Sequence, residues 1–419
     1  MASLASHSIH GQAGRLLLLL GSLGAVLPAS AAVTDPSGYL AYNIPGGSRR
    51  LVGVHLTREA THSAKISSVL PQRIALPAPV QAGYFGGAAT VMVQVRDGQR
   101  AGITFTATAF EGNELILDSS PVSLIAPGDT VALFPNYTLS KLFGPNNTFG
   151  LQTGETMEEA DTVSLWNAAS QTSRVFYLRS GQGWRESGNE AAGDCGQVTI
   201  SFPEAMMVNR RGTSNLEFVV AGVVPMPLEQ RYFRVLPGRN LITAPFSISP
   251  TVGGYGLYEE GSPFSVIAGA SAPEADTIRF TNPLTTIESE VLYYRSGHGW
   301  RLAGTGENAD STLVELGQAM DFQRVGEAGF IRSQGIPVNP PLRALASAPV
   351  STVPIEGLQA EPGSLRISWS GEAGASYQVQ KRPLREGWQD LGAEVVSSGG
   401  VTTTVCPATG GGELRIVKK

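Results

Sequence analysis

The sequence predicts an all-β protein, and three features carry that expectation. Its 419 residues include 50 Gly and 27 Pro, many standing between short apolar runs, the make-up of a turn-rich β chain. Several of these runs alternate apolar and polar residues, as a strand with one buried and one wet face does. A strand–turn–strand word also occurs twice. The architecture that follows is a pair of duplicated antiparallel β units, sandwich or barrel-like, with a small β-sandwich after them.

Residues 1–32 read as a secretory signal peptide. Arg15 supplies the positive charge ahead of the apolar stretch Leu16–Leu27, which is shorter than the ~20 residues a membrane-spanning helix needs. Pro28 ends the stretch, and Ala29-Ser30-Ala31 supplies the small residues of a cleavage site. The mature chain is expected to begin at Ala32 or Val33, with no Cys for a lipid anchor and no transmembrane segment.

Strands are expected at Val91–Val95, Ile103–Phe110, Leu115–Leu117, Thr130–Phe134, Thr162–Trp166, Val175–Leu178, Leu216–Ala221 and Tyr232–Leu236. Gly112-Asn113, Pro127-Gly128-Asp129 and Gly181-Gln182-Gly183 are the turn residues between some of them. The clearest helix is brief: Thr138 as N-cap, Leu139–Phe143 as body and Gly144 as stop.

The duplication is read from Ala160-Asp161-Thr162-Val163 against Ala275-Asp276-Thr277-Ile278. Val175–Arg185 then matches Val291–Arg301 at a nearly constant offset, and Pro45–Val52 is echoed more loosely by Pro237–Ile242. This gives a first unit over residues 33–228, enlarged by a strand-rich insertion, and a second over 229–339. A Pro/Ala/Ser-rich linker follows at 340–354. The tail, 355–419, is expected to be a separate small domain, with Trp369 and Tyr377 on successive strands suited to a sandwich core.

Net charge is −5, and charged residues make up only 16% against 42% hydrophobic. That balance argues against disorder, and the absence of a Lys/Arg cluster argues against nucleic acid as a partner. Cys195 and Cys406 are too few for a disulfide scaffold and are read as two separate buried thiols, with a long-range bridge between them as the alternative. His55, His62 and His298 lack metal-ligand spacing, and no phosphate- or dinucleotide-binding Gly pattern is present. Neither a metal nor a cofactor is expected. Glu158-Glu159 and Glu259-Glu260 are read as solvated loop carboxylates.

The repeated Tyr-x-Arg-Ser-Gly-x-Gly-Trp-Arg word supplies the candidate ligand-binding residues: Tyr177, Arg179 and Trp184 in the first copy, and Tyr293, Arg295 and Trp300 in the second. A hairpin pinned by buried aromatic residues is one reading. The other is an aromatic platform for a sugar ring, with arginine donating to hydroxyls. Arg179 or Arg185 could also stack on the Trp184 ring. Burial of Trp184 and Trp300 favours the hairpin reading.

Thr34-Asp35-Pro36-Ser37-Gly38-Tyr39, Pro45-Gly46-Gly47-Ser48, Thr138-Leu139 with Leu142-Phe143-Gly144, and Ala160-Asp161-Thr162 resemble an uncharacterised secreted family that occurs as multiple paralogues in verrucomicrobial bacteria. The resemblance covers roughly 33–339 and departs from the family's pattern at Gly53-Val54-His55. It brings no activity, cofactor or catalytic residue. Through Trp369, Tyr377 and Trp388 the tail is similar to fibronectin type III-like modules, which implies spacing or adhesion. The expected function is a secreted, non-enzymatic structural or cell-surface protein, periplasmic or extracellular, with envelope or extracellular polysaccharide or protein as partners. A carbohydrate-binding or adhesive module is the alternative. A secreted hydrolase would require a pocket holding two carboxylates of unlike acidity.

Overall fold

Strands form where the sequence alternates. The computed structural model describes residues 37–144, 146–224, 230–244, 251–280, 290–314, 317–335, 352–383, 387–408 and 411–419. The expected signal peptide with its cleavage site, and residues 340–351 of the expected linker, lie outside the described residues. Val91–Val95 is a strand over its whole expected length, and Thr130–Pro135, Thr162–Asn167 and Leu216–Val223 run one or two residues further. The chain is nearly all β and its ladders are antiparallel. The short helix Leu139–Phe143 begins at Thr138, whose hydroxyl accepts the Lys141 N–H at 3.2 Å, and ends at Gly144 with φ +84°. That geometry suits a capping Thr and a terminating Gly.

The duplication is visible strand by strand. One five-stranded sheet runs in the order Gly183–Glu186, Thr172–Arg179, Thr162–Asn167, Ala205–Asn209, Arg49–Gly53. The second runs Gly299–Leu302, Leu292–Arg295, Thr277–Phe280, Ala319–Arg324, Gly238–Thr243. Each unit adds an antiparallel pair, Ser37–Ile44 with Leu216–Val223 in the first and Gln230–Val235 with Gly329–Gln334 in the second. Even the loose echo of Pro45–Val52 in Pro237–Ile242 keeps register, because Val52 pairs with Met206 and Ile242 with Met320.

The two units also share a buried ion pair. Asp161 takes the Arg210 guanidinium and the N–H groups of Gln152 and Arg211, both at 2.7 Å. Asp276 takes Arg324 at 2.5 Å and the N–H groups of Ile267 and Val325 at 2.8 and 2.9 Å. Both aspartate side chains are fully buried. These contacts tie each central sheet to the loop entering it and the loop leaving it, which is why the Ala-Asp-Thr word recurs.

The units meet through equivalent residues. Leu51 and Ala205 from the first pack with Leu241 and Ala319 from the second, which are their counterparts in register. The isolated bridges Val52–Gln318 and Ile242–Glu204 are likewise counterparts, as are the bonds Gly53 N–H to Gly317 O and Thr243 N–H to Pro203 O. The junction therefore has an approximate two-fold symmetry, the arrangement of an isologous dimer within one chain.

The insertion is a seven-stranded sheet in the order His62–Lys65, Thr130–Pro135, Val91–Val95, Thr104–Glu111, Glu114–Leu117, Arg73–Ala75, Ser68–Leu70. Its first and last strands are adjacent in the chain. At the corner between them Ile66 N–H donates to Asp129 O and Ser67 N–H to Ala75 O, so the sheet curls into a nearly closed barrel. Its core, which includes Val93, Ile103 and Leu133, also takes in Tyr232 and Phe330 of the second unit.

The tail forms two facing sheets around Trp369 and Tyr377, whose rings meet edge to face at 5.7 Å. It differs from a self-contained module in one respect. Its strand Gly411–Lys418 pairs with Ser37–Ile44 of the first unit through Gly38–Glu413, Tyr39–Gly412 and Leu40–Gly411. Tyr39 and Val219 enter the tail's core. The boundary expected at residue 355 divides the chain in sequence but not in the sheet. Trp388 is half-buried and lies with the guanidinium groups of Arg382 and Arg415 at 5.1 and 4.2 Å from its ring. Cys195 and Cys406 are both free; only Cys406 is fully buried, so the expectation of two buried thiols holds for one of them.

Candidate ligand-binding site

The six residues singled out in the repeated word occupy equivalent places in two hairpins. Leu178 pairs with Trp184 and Tyr294 with Trp300. The turns need their glycines: Gly183 and Gly299 both have φ +80°, and a Cβ on either would stand under 3 Å from the carboxylate of Asp194 or Asp310. Those carboxylates accept the Trp184 and Trp300 N–H groups at 2.9 and 2.8 Å. Trp184 is 2% exposed and Trp300 1%, so neither indole offers a face to a ligand. Tyr177 and Tyr293 are buried as well. Arg179 turns to Glu155 at 3.1 Å, Arg185 donates to the Trp184 carbonyl, and Arg295 is exposed. The platform reading is thereby corrected. The hydrophobic effect puts the large rings in the two cores, and these residues pin hairpins without converging on a common surface.

A different place gathers chemistry. Where the insertion, the first unit and the second unit meet, a cleft of about 350 Å³ opens. The insertion contributes Asp118, the first unit Trp166, Arg174, Phe202 and Glu204, and the second unit Arg234. Trp166 is half-buried, and its indole N–H is held by the Arg239 carbonyl at 2.7 Å. The segment bearing Phe202 and Glu204 is clasped by the second unit, Thr243 N–H donating to Pro203 O and Thr243 Oγ1 to Glu204 O. The cleft walls are thus fixed from both sides.

Its charges are unevenly satisfied. Arg174 forms a two-pronged pair with Glu186 at 2.7 and 2.9 Å and lies over the Phe176 ring. Arg234 reaches the Asp118 carbonyl at 3.1 Å and its carboxylate at 3.6 Å. Asp118 also accepts the Thr106 N–H at 3.0 Å. Glu204 accepts the Ser201 N–H at 3.2 Å and, among the described residues, forms no ion pair. It opens to solvent at the cleft mouth, yet the protein around it removes enough water to push its carboxyl up to about 7. The Ser201 hydrogen bond opposes that push and the Asp118 charge adds to it. Among the described residues no cluster of His, Cys, Asp or Glu suits a metal ion.

Glu204 and Trp166 were not among the candidates, and their signals are faint. Glu204 is the lone acid in the run Ile200–Val208. Trp166 breaks the repeat, since the second copy carries Thr281 at that register. Comparison with known proteins returns no matching family model, curated protein or solved structure.

Proposed function

We propose that this is a secreted, non-enzymatic cell-surface protein that holds envelope or extracellular polysaccharide in the cleft between its insertion and its twin β units. The observation that carries this reading is the cleft itself: concave, fixed by three segments, with aromatic walls at Trp166 and Phe202 and polar groups between them. Apolar walls with a few placed polar groups are what small-ligand sites use. Hydrolysis of a glycosidic bond would need a second carboxylate free to act on water or on the sugar. Asp118, the other acid in the cleft, is committed to the Thr106 N–H and the Arg234 guanidinium. That commitment favours binding over chemistry, and the tail adds a spacing or adhesive module.

The test is a glycan-array screen with chain 33–419, followed by titration of the best ligand. Retained binding by the parent that Trp166→Ala lowers at least tenfold, in a protein whose circular dichroism shows it still folded, supports the reading. A protein that hydrolyses a bound oligosaccharide, or that retains none, counts against it.

A further inference from the structure

The approximate two-fold axis between the units places Glu204 and Gln318 in the same register, each one residue before the equivalent alanines Ala205 and Ala319. Each forms the same isolated bridge to the opposite unit, Glu204 to Ile242 and Gln318 to Val52. One backbone position thus carries a neutral amide at one end of the axis and an acid at the other. Gln318 is buried, whereas Glu204 faces the cleft walled by the insertion, which the second unit lacks. Packing at this register is met by the amide, so the acid is a feature of the cleft.

The other charges lining the cleft do not supply its counter-ion. Arg174 is taken by Glu186 and Arg234 by Asp118. Tyr137, on the opposite side of the Ser201–Glu204 segment, gives its hydroxyl proton to the Ala221 carbonyl. Asp118 is a second negative charge in the same space. Arg239 lies over the Trp166 ring and is taken by Asp321, and Arg231 lies over the Phe202 ring; Glu204, exposed at the mouth of the cleft, forms no ion pair among the described residues.

We infer that the cleft selects a saccharide bearing a free primary ammonium, an amino sugar that is not N-acetylated, with that ammonium seated on the Glu204 carboxylate. The inference rests on the polysaccharide reading above and narrows it. An ammonium supplies the missing counter-charge and makes a charge-assisted hydrogen bond, stronger than the neutral bond an acetamide would make. The protein around Glu204 raises its carboxyl into the range where a sugar amine also titrates, so the carboxylate–ammonium pair forms best near neutrality and affinity falls on either side of it.

Isothermal titration of chain 33–419 with a β-1,4-linked glucosamine tetramer and with its fully N-acetylated counterpart tests this. At pH 6.5 the glucosamine tetramer is expected to bind at least about tenfold more tightly, the range of a hydrogen bond to a charged group. The glucosamine tetramer's affinity should pass through a maximum near neutrality, and that of the acetylated tetramer should not. Glu204→Gln copies the residue its twin position carries, so folding should be kept. It should remove the tenfold preference while leaving the acetylated tetramer's affinity unchanged. Equal affinities in the parent, with Glu204→Gln without effect, overturn the ammonium inference and leave the polysaccharide reading intact. Binding of neither tetramer, with a lysine-rich peptide bound through Glu204, overturns the sugar. Binding of no saccharide at all on the array overturns both.

Discussion

Replacing Asp161 by Asn keeps the size of the side chain and removes its charge. In the native protein that carboxylate accepts Arg210 and the N–H groups of Gln152 and Arg211 with no solvent exposure, while Arg210 is 6% exposed. Breaking a buried pair from one side strands the other charge, usually at a cost of about 3–5 kcal/mol. Arg210 keeps the Ser214 and Gly150 carbonyls as acceptors, which points to the lower end, about 3 kcal/mol. Urea denaturation of chain 33–419 followed by circular dichroism reads this as a lower midpoint at unchanged slope. Asp276→Asn in the second unit, with its Arg324 partner and two N–H donors, should cost the same to within ~1 kcal/mol. Adding Arg210→Met to Asp161→Asn should recover part of the loss, because the stranded charge goes with it. A loss below ~1 kcal/mol for both aspartates would refute the view that these pairs hold the sheets to their loops.

Trp300→Ala should cost about 3–5 kcal/mol in the same assay, the range for deleting a core aromatic, and leave ligand binding unchanged; a stable variant that no longer binds would restore the platform reading. His55 is fully buried, its Nδ1–H donating to Gly53 O at 2.9 Å, and burial foremost lowers its pKa to about 4. The unfolded chain therefore binds a proton that the folded one refuses between pH 6.5 and about 4. In the parent the raised carboxyl of Glu204 acts in the opposite sense over the same range, so the His55 leg is read in the Glu204→Gln protein, where stability should be full above pH 6.5 and fall by up to about 3 kcal/mol on acidification through that window. His55→Asn should flatten this leg of a pH–stability curve, and an unchanged slope would show that another group carries it. A fragment of residues 355–419 lacks the partner strand Ser37–Ile44 and the Tyr39 side chain. It should melt without cooperativity until a 37–44 strand is fused to it, and a sharp melt of the fragment alone would show that the tail closes itself.

Local features were legible because their causes are local. Thr138 and Gly144 announce a helix turn through capping and left-handed φ, and the Ser-Gly-x-Gly turns announce hairpins, since the information lies within a few residues. The duplication could be read from spacing alone, and it placed Trp184 and Trp300 in equivalent sheets. The cleft depends on contacts between Asp118, Trp166, Glu204 and Arg234, which lie in segments that meet only after three β bodies have packed. No periodicity marks such a meeting. Trp388 shows the same limit: the guanidinium groups beside its ring, Arg382 and Arg415, come from neighbouring strands that sequence spacing does not bring together.

The pairing of Ser37–Ile44 with both Leu216–Val223 and Gly411–Lys418 bears on the order in which the chain acquires its structure. During synthesis this strand emerges ahead of both partners, and its outer edge is closed by a segment more than 300 residues downstream. Contacts of such separation form late, after the entropy of closing a long loop has been met. In the interval the edge presents unpaired N–H and C=O groups next to the apolar Tyr39 and Leu40, the kind of surface on which two nascent chains pair with each other. Refolding yield should therefore fall as protein concentration rises, and a soluble peptide of residues 411–418 present during refolding should restore it by occupying the edge until the chain's own strand arrives.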